Sequence, residues 1–224
     1  MKKTILFLIF LLLGAFHASA QLYRYLDTSQ GLSSRRVIAV EKDTQGYMWF
    51  LTQEGVDRYN GKEFTNYILT DGNRTYQQFP NLNQLHIDSQ DGIWVTGKNG
   101  FIFKYNPIQD KYDLVMNFAE TLHTKERLPL THTTIDRQNN LWLCTHDAQY
   151  IYKIQSKQLI KIESSIQEEV FYIEQGKGNY YFLGTSQNIY LAELKENKLI
   201  LEPEYTLKNI HRVQHIQYHV PTDR

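Results

Sequence analysis

Past residue 20, apolar residues in this chain fall in short runs of three to five, separated by clusters of Gly, Asn, Asp, Gln and Lys. Runs of that length, rich in Val, Ile, Tyr, Phe and Trp and bounded by turn residues, predict β-strands. Over residues 37–68 the pattern predicts an inner strand at Val37 to Lys42, a tight turn at Thr44-Gln45-Gly46 and a second strand at Tyr47 to Thr52. Glu54-Gly55 then turns into a third strand, Val56-Asp57-Arg58-Tyr59, and Glu63 to Ile68 forms an outer strand. Asn60-Gly61 reads as a two-residue hairpin turn, with both residues at positive φ. The same order recurs with turns at Asn106-Pro107, Gln155-Ser156-Lys157 and Lys195-Glu196-Asn197-Lys198. No stretch of twelve or more residues carries helical periodicity. The chain reads as all-β.

The strands repeat as a unit. Three segments align on tryptophan: Asp43-Thr-Gln-Gly-Tyr-Met-Trp49-Phe-Leu-Thr52, Asp88-Ser-Gln-Asp-Gly-Ile-Trp94-Val-Thr-Gly97 and Asp136-Arg-Gln-Asn-Asn-Leu-Trp142-Leu-Cys-Thr145. Each has an Asp six residues before its Trp. A fourth copy reads Glu174-Gln-Gly-Lys-Gly-Asn-Tyr-Tyr-Phe182-Leu-Gly-Thr185, two residues longer, with Phe182 in the Trp place. The aromatic positions are 45, 48 and 40 residues apart. A period near 45 fits one four-stranded blade of a β-propeller. Blades are expected at about 37–69, 82–117, 130–163 and 169–204, with Val213 to Val220 as the inner strand of a fifth. Four complete blades and the start of another do not close a ring, and an open array leaves strand edges unpaired. The chain therefore reads as the front part of a longer protein or as a truncated gene product.

The first twenty residues break the repeat. Lys2 and Lys3 precede an apolar run from Ile5 to Phe16, and Ala18-Ser19-Ala20 gives a small-x-small cleavage pattern before Gln21. That is the layout of a secretory signal peptide, which places the mature chain in the periplasm. Residues 21–36 then form an N-terminal strand and entry loop. The whole chain carries 24 Lys+Arg and 24 Asp+Glu; without Lys2 and Lys3 the basic count is 22 and the formal charge −2. This balance makes no case for nucleic acid or an anionic membrane surface. The single Cys144, inside Leu141-Trp142-Leu143-Cys144-Thr145, excludes a disulfide scaffold and a multi-cysteine metal site, and reads as a buried, inert thiol.

Trp49, Trp94 and Trp142 read as packing between blades, and Asp43, Asp88 and Asp136 as acceptors within the first turn of each blade. Carboxylates one blade apart cannot flank a glycosidic bond. His211, His215 and His219 are spaced like a helix face, but their segment alternates like a strand. There they would lie about 13 Å apart, so no metal site is expected. No cofactor is expected either. Asn73-Arg74-Thr75 matches a glycosylation sequon.

Gly31-Leu-Ser-Ser34, Asp43-x-x-Gly46-x-x-Trp49-Phe-Leu-Thr52 and Gly55-Val-Asp-Arg-Tyr-Asn-Gly61 together resemble the two-component regulator propeller family. These are the periplasmic sensor repeats of hybrid two-component histidine kinases in Bacteroidetes. The resemblance covers roughly residues 22–224 and implies a sensor input region. The kinase and output domains of such proteins would lie outside this chain, and the residues present would not be an enzyme. It implies oligosaccharide as ligand, with the rest of the sensor kinase or a second protomer as partner. On a propeller the loops entering each inner strand and those joining the second and third strands meet at one face. Here they supply Arg35, Arg36, Gln53, Glu54, Gln77, Gln78, Lys98, Asn99, His146 and Asp147 as candidate ligand-binding residues. Planar amides and bidentate groups of this kind suit sugar hydroxyls. The alternatives are an exported protein-interaction propeller and a propeller polysaccharide lyase or glycosidase.

Overall fold

A computed structural model describes residues 25–70, 82–124, 128–208 and 210. The signal-peptide segment, the sequon, Gln77, Gln78, the three C-terminal histidines and the expected fifth inner strand lie outside these residues. The described residues form sixteen strands in four antiparallel sheets, each a simple meander. The first sheet contains β1 (Val37–Lys42), β2 (Met48–Thr52), β3 (Val56–Tyr59) and β4 (Phe64–Tyr67). The second contains β5 (Leu82–Ile87), β6 (Ile93–Gly97), β7 (Phe101–Asn106) and β8 (Lys111–Asn117). The third is β9 (His132–Ile135), β10 (Asn140–Cys144), β11 (Gln149–Lys153) and β12 (Gln158–Ile162). In the fourth, β13 (Tyr172–Gln175) and β14 (Tyr180–Gly184) precede β15 (Ile189–Lys195) and β16 (Lys198–Leu201). One helical turn, α1 (Phe118–Thr121), leads out of β8.

The first strands touch in succession, β1 on β5, β5 on β9 and β9 on β13, so the sheets stack as neighbouring blades. The second and third sheets are apolar on both faces because each face meets another sheet. Trp49, Leu51, Val56 and Tyr67 pack against Leu85, Val95, Phe103 and Tyr112 of the second sheet. Trp94, Ile102 and Met116 meet Leu141, Leu143 and Tyr152. Trp142, Ile151 and Ile162 meet Ile173, Tyr181, Leu183 and Leu199. Every Trp thus points from its own sheet into the following one. Each buries on the order of 150–250 Å², a gross gain of about 4–6 kcal/mol.

One carboxylate organises each of the first three turns. Asp43, Asp88 and Asp136 are buried, and Oδ2 accepts the indole N–H of Trp49 at 2.9 Å, Trp94 at 2.8 Å and Trp142 at 3.0 Å. Oδ1 accepts backbone N–H groups of the same turn, from Tyr47, from Gln90 and Gly92, and from Gln138 and Asn140. The side chain therefore closes the turn and satisfies a buried donor at once.

Register corrects the expected alignment of the fourth copy. Phe182 lies opposite Glu174, as Trp142 lies opposite Thr134, so Gly176 occupies the Asp position and the turn is not lengthened. The Gly176 N–H bonds the Tyr180 carbonyl as Asp136 bonds Asn140. A Cβ at Gly176 would come within 3.1 Å of the Phe182 ring. Acceptor and indole donor have been lost together, so neither is orphaned.

The Asn60-Gly61 turn also differs from expectation. It is a four-residue loop between the paired Tyr59 and Phe64, with Gly61 at φ 94° and Asn60 outside the positive-φ region. Asn60 Oδ1 instead accepts the N–H groups of Lys62 and Glu63, each at 2.9 Å, an Asx-type turn.

The two outer faces of the stack differ. On the first sheet, Phe50 and Tyr59 are covered by Leu26 and Leu32, which flank a 3-10 turn at Thr28–Gln30. Asp57, fully buried, fastens this cap: it accepts Ser33 N–H at 2.8 Å, Ser33 Oγ at 2.7 Å and Asn66 Nδ2 at 2.7 Å. On the fourth sheet, the face carrying Tyr180, Phe182, Leu191 and Ile200 is only partly covered, with Tyr180 and Ile200 about two-fifths exposed.

Cys144 sits in the core between the third and fourth sheets, where burial pushes its thiol up to about 12. Little thiolate forms at pH 8, so a disulfide-exchange reagent is expected to leave the folded protein unmodified and to label one thiol after unfolding. Stoichiometric labelling of the native chain would contradict this.

Candidate functional site

The meander fixes where side chains can gather. Turns between second and third strands, with the segments entering the first strands, lie at one end of each sheet. Turns between first and second and between third and fourth strands lie at the other. A threonine braces the first kind of turn in three sheets: Thr52 and Thr145 donate Oγ1 to the carbonyls of Gly55 and Ala148, and Thr185 Oγ1 accepts the Asn188 N–H at 3.0 Å.

The eight described members of the expected ligand-binding set lie on this end. Arg35, Arg36, Glu54, Lys98, His146 and Asp147 are exposed, and Gln53 and Asn99 half-buried. Arg36 and Gln53 meet through the backbone, the Arg36 carbonyl accepting Gln53 N–H at 3.2 Å. His146 lies 3.8 Å from Asp147 and 3.2 Å from Glu169. Asp147 also lines a cavity of about 450 Å³ with Gln149, Lys161, Glu163 and Ser164. The other candidates stay on separate sheets, with no side-chain bond joining one sheet's set to the next among the described residues.

Glu168, on the same end, was not anticipated. It accepts Thr185 Oγ1 at 2.6 Å, Asn188 Nδ2 at 2.7 Å and the Tyr190 hydroxyl. Burial alone would raise its carboxyl, but these three donors outweigh it and hold the group below the ordinary value. The sequence signal, had it been weighed, was a carboxylate 17 residues before the bracing Thr185.

A second polar cluster follows the first strands. Thr133 donates N–H and Oγ1 to Gln84 Oε1 at 2.6 and 2.7 Å, and Gln84 Nε2 lies 3.0 Å from His132 Nδ1. The Thr133 hydroxyl proton is thus committed, and the bond of 2.7 Å from His86 Nε2 requires the imidazole to donate. The His132 ring packs on Tyr172, centroids 4.7 Å apart. Burial, reinforced by His132, lowers His86 to about 3. Unfolded histidine takes its proton near 6.5, so between that value and 3 the unfolded chain binds more protons and stability falls with acidification. Denaturation midpoints are expected to drop from pH 7 to pH 4, and His86→Gln to flatten that slope; an unchanged slope would assign it elsewhere.

The opposite end holds an aromatic and ionic cluster between the first two sheets. The Arg58 guanidinium lies 5.2 to 5.7 Å from the ring centroids of Tyr47, Tyr67, Trp49 and Tyr105. Its Nη1 donates to the Tyr105 hydroxyl at 2.6 Å and to Asp110 at 3.3 Å, while Tyr67 donates to Asp110 at 2.7 Å. Hydrogen bonds from Tyr105 and Tyr67 hold Asp110 below the usual carboxylate range. The sequence could not reveal this cluster, because its members come from different sheets.

Comparison with solved structures places this geometry. The extracellular domain of a Bacteroides thetaiotaomicron protein described as a hybrid two component system, BT3049, superposes with a TM-score of 0.61 at 20% identity. The match covers 80% of this chain and 26% of that one. The two share a fold. PorZ, a bacterial surface component of the type-IX secretion system of Porphyromonas gingivalis, matches with a TM-score of 0.58 at 13% identity, over 79% of this chain and 23% of its own. The extracellular domain of a second B. thetaiotaomicron system, BT4673, matches at 19% identity with a TM-score of 0.46, over 80% of this chain and 31% of that one. The chain thus spans between 23% and 31% of the length of these structures. No family model and no curated protein matches it. Among the described residues no helix is long and apolar enough to cross a membrane.

Proposed function

We propose that this propeller is the exported input region of a membrane-spanning signalling protein, and that its ligand is an oligosaccharide. The observation that carries the reading is the fold shared with the extracellular domain of BT3049, over four-fifths of the present chain. The basic start, apolar run and Ala18-Ser19-Ala20 supply the matching export signal. The rim of Arg35, Arg36, Gln53, Glu54, Lys98, Asn99, His146 and Asp147 presents amides, cations and carboxylates on rigid turns, a donor and acceptor set fitting sugar hydroxyls. A ligand held there in one arrangement of two protomers and not in another shifts the balance between them, and a kinase on the far side of the membrane reads that shift.

The test is expression with the native first twenty residues, followed by N-terminal sequencing of the periplasmic protein and calorimetric titration with plant, host and microbial oligosaccharides. A protein beginning at Gln21 that binds one glycan class saturably is the expected result. Retention in the cytoplasm would remove the export reading, and silence across the panel the saccharide. The likeness to PorZ favours a second reading, an exported scaffold that binds other proteins. Crosslinking in cells that recovers one exported partner, with no glycan response, would select it.

A further inference from the structure

The groove between the first two sheets, on the end away from the candidate rim, forms a cleft of about 430 Å³. Its walls include Gln45, Tyr47, Arg58, Gln90, Lys104 and Tyr105. Turn-to-turn bonds fix its mouth, Thr44 N–H and Oγ1 both donating to Asp91. Ile93, Leu141 and Tyr181 share the register position just before Trp94, Trp142 and Phe182. Between the third and fourth sheets Tyr181 spans the groove, its hydroxyl 2.9 Å from Asp136 Oδ2. Between the first and second, Ile93 is too short to cross, and among the described residues no side chain from the second sheet bonds Asp43.

The cleft's polar atoms are unusually idle. Arg58 uses only Nη1, so Nη2 and Nε make no hydrogen bond to protein among the described residues. The same holds for the Tyr47 hydroxyl and the side-chain amides of Gln45 and Gln90. Lys104 lies over the Trp94 ring at 4.6 Å, with Asp88 3.7 Å away. Four carboxylates, Asp43, Asp88, Asp91 and Asp110, stand around two cations, which disfavours an anion. The ring faces around Arg58 are already taken by that guanidinium and offer no free seat to a cationic guest. What remains is a neutral molecule with an apolar face for half-buried tyrosines and hydroxyls for amides and guanidinium.

We propose that this cleft binds a neutral sugar ring, giving the molecule a saccharide contact on the end opposite the rim. The inference takes its ligand class in common with the proposed function and adds a place. Saturation-transfer NMR on the mature chain with maltotriose, cellotriose, xylotriose and trigalacturonate tests it. A neutral trisaccharide is expected to bind; Gln45→Ala with Gln90→Ala is expected to weaken it about tenfold, and Ile93→Tyr to abolish it. Among the described residues Gln45 and Gln90 make no side-chain bonds, so that variant should keep the parent's thermal midpoint. Arg36→Ala with His146→Ala is expected to remove binding at the rim only and to leave the cleft contact that Ile93→Tyr abolishes. If the rim variant abolishes binding while the cleft variants do not, the cleft assignment falls and the saccharide reading stands. Binding of trigalacturonate alone would overturn the neutral-sugar assignment. No binding by any of the four would remove the cleft site, whereas the export result above would still stand.

Discussion

Asp88→Gly is expected to destabilise the protein by about 2–4 kcal/mol, and Trp94→Phe by about 1–3 kcal/mol, but the double variant by about 1–2 kcal/mol less than their sum. Removing the carboxylate alone orphans the buried Trp94 indole N–H and frees the N–H groups of Gln90 and Gly92. Removing the indole alone leaves a cavity and a carboxylate oxygen without its buried donor. Removing both reproduces what the fourth sheet already does with Gly176 and Phe182. Urea unfolding followed by circular dichroism gives all four corners of the cycle. Strict additivity would mean that the carboxylate acts on the turn alone and that the paired loss in the fourth sheet is coincidental.

Asp57→Ala is expected to cost about 2–3 kcal/mol and, more tellingly, to release the N-terminal cap. Three donors lose their acceptor, two of them on Ser33, which anchors Leu26 and Leu32 over Phe50 and Tyr59. Trypsin should then cut quickly at Arg35 or Arg36, while the rest of the protein stays resistant under native conditions. Phe50→Ala serves as the contrast, because it weakens the apolar contact but leaves the Ser33 bonds. Equal cleavage in the parent and in Asp57→Ala would show that Leu26 and Leu32 hold the cap unaided.

Most of the fold was readable because its determinants are local. An Asp and a Trp six residues apart recur at a blade's period, and both ends of their hydrogen bond lie within one hairpin. The fourth copy misled because acceptor and donor vanished together. Glu174 was then the nearest acid, and only strand register identifies Gly176 as the equivalent residue. The Asn60-Gly61 loop was misread because a dipeptide reports turn preference, whereas loop length follows from the pairing of Tyr59 with Phe64. The site was less legible. Topology placed Arg36, Gln53, Lys98 and His146 at one end, but nothing local says which residues of adjacent blades touch. The Gln84–His132 bond and the Arg58–Tyr105 bond join residues 48 and 47 positions apart, one blade period, on different sheets.

The direction in which the tryptophans point gives the stack a polarity. Each of the first three sheets offers its Trp to the one made after it, so a blade stays unfinished until its successor arrives. During synthesis the first blade, sealed on its far side by Leu26 and Leu32, can serve as a fixed foundation, and every later blade completes the one beneath. Strain applied at the growing end would then peel blades in the reverse order of their making. The foundation would be the last to yield.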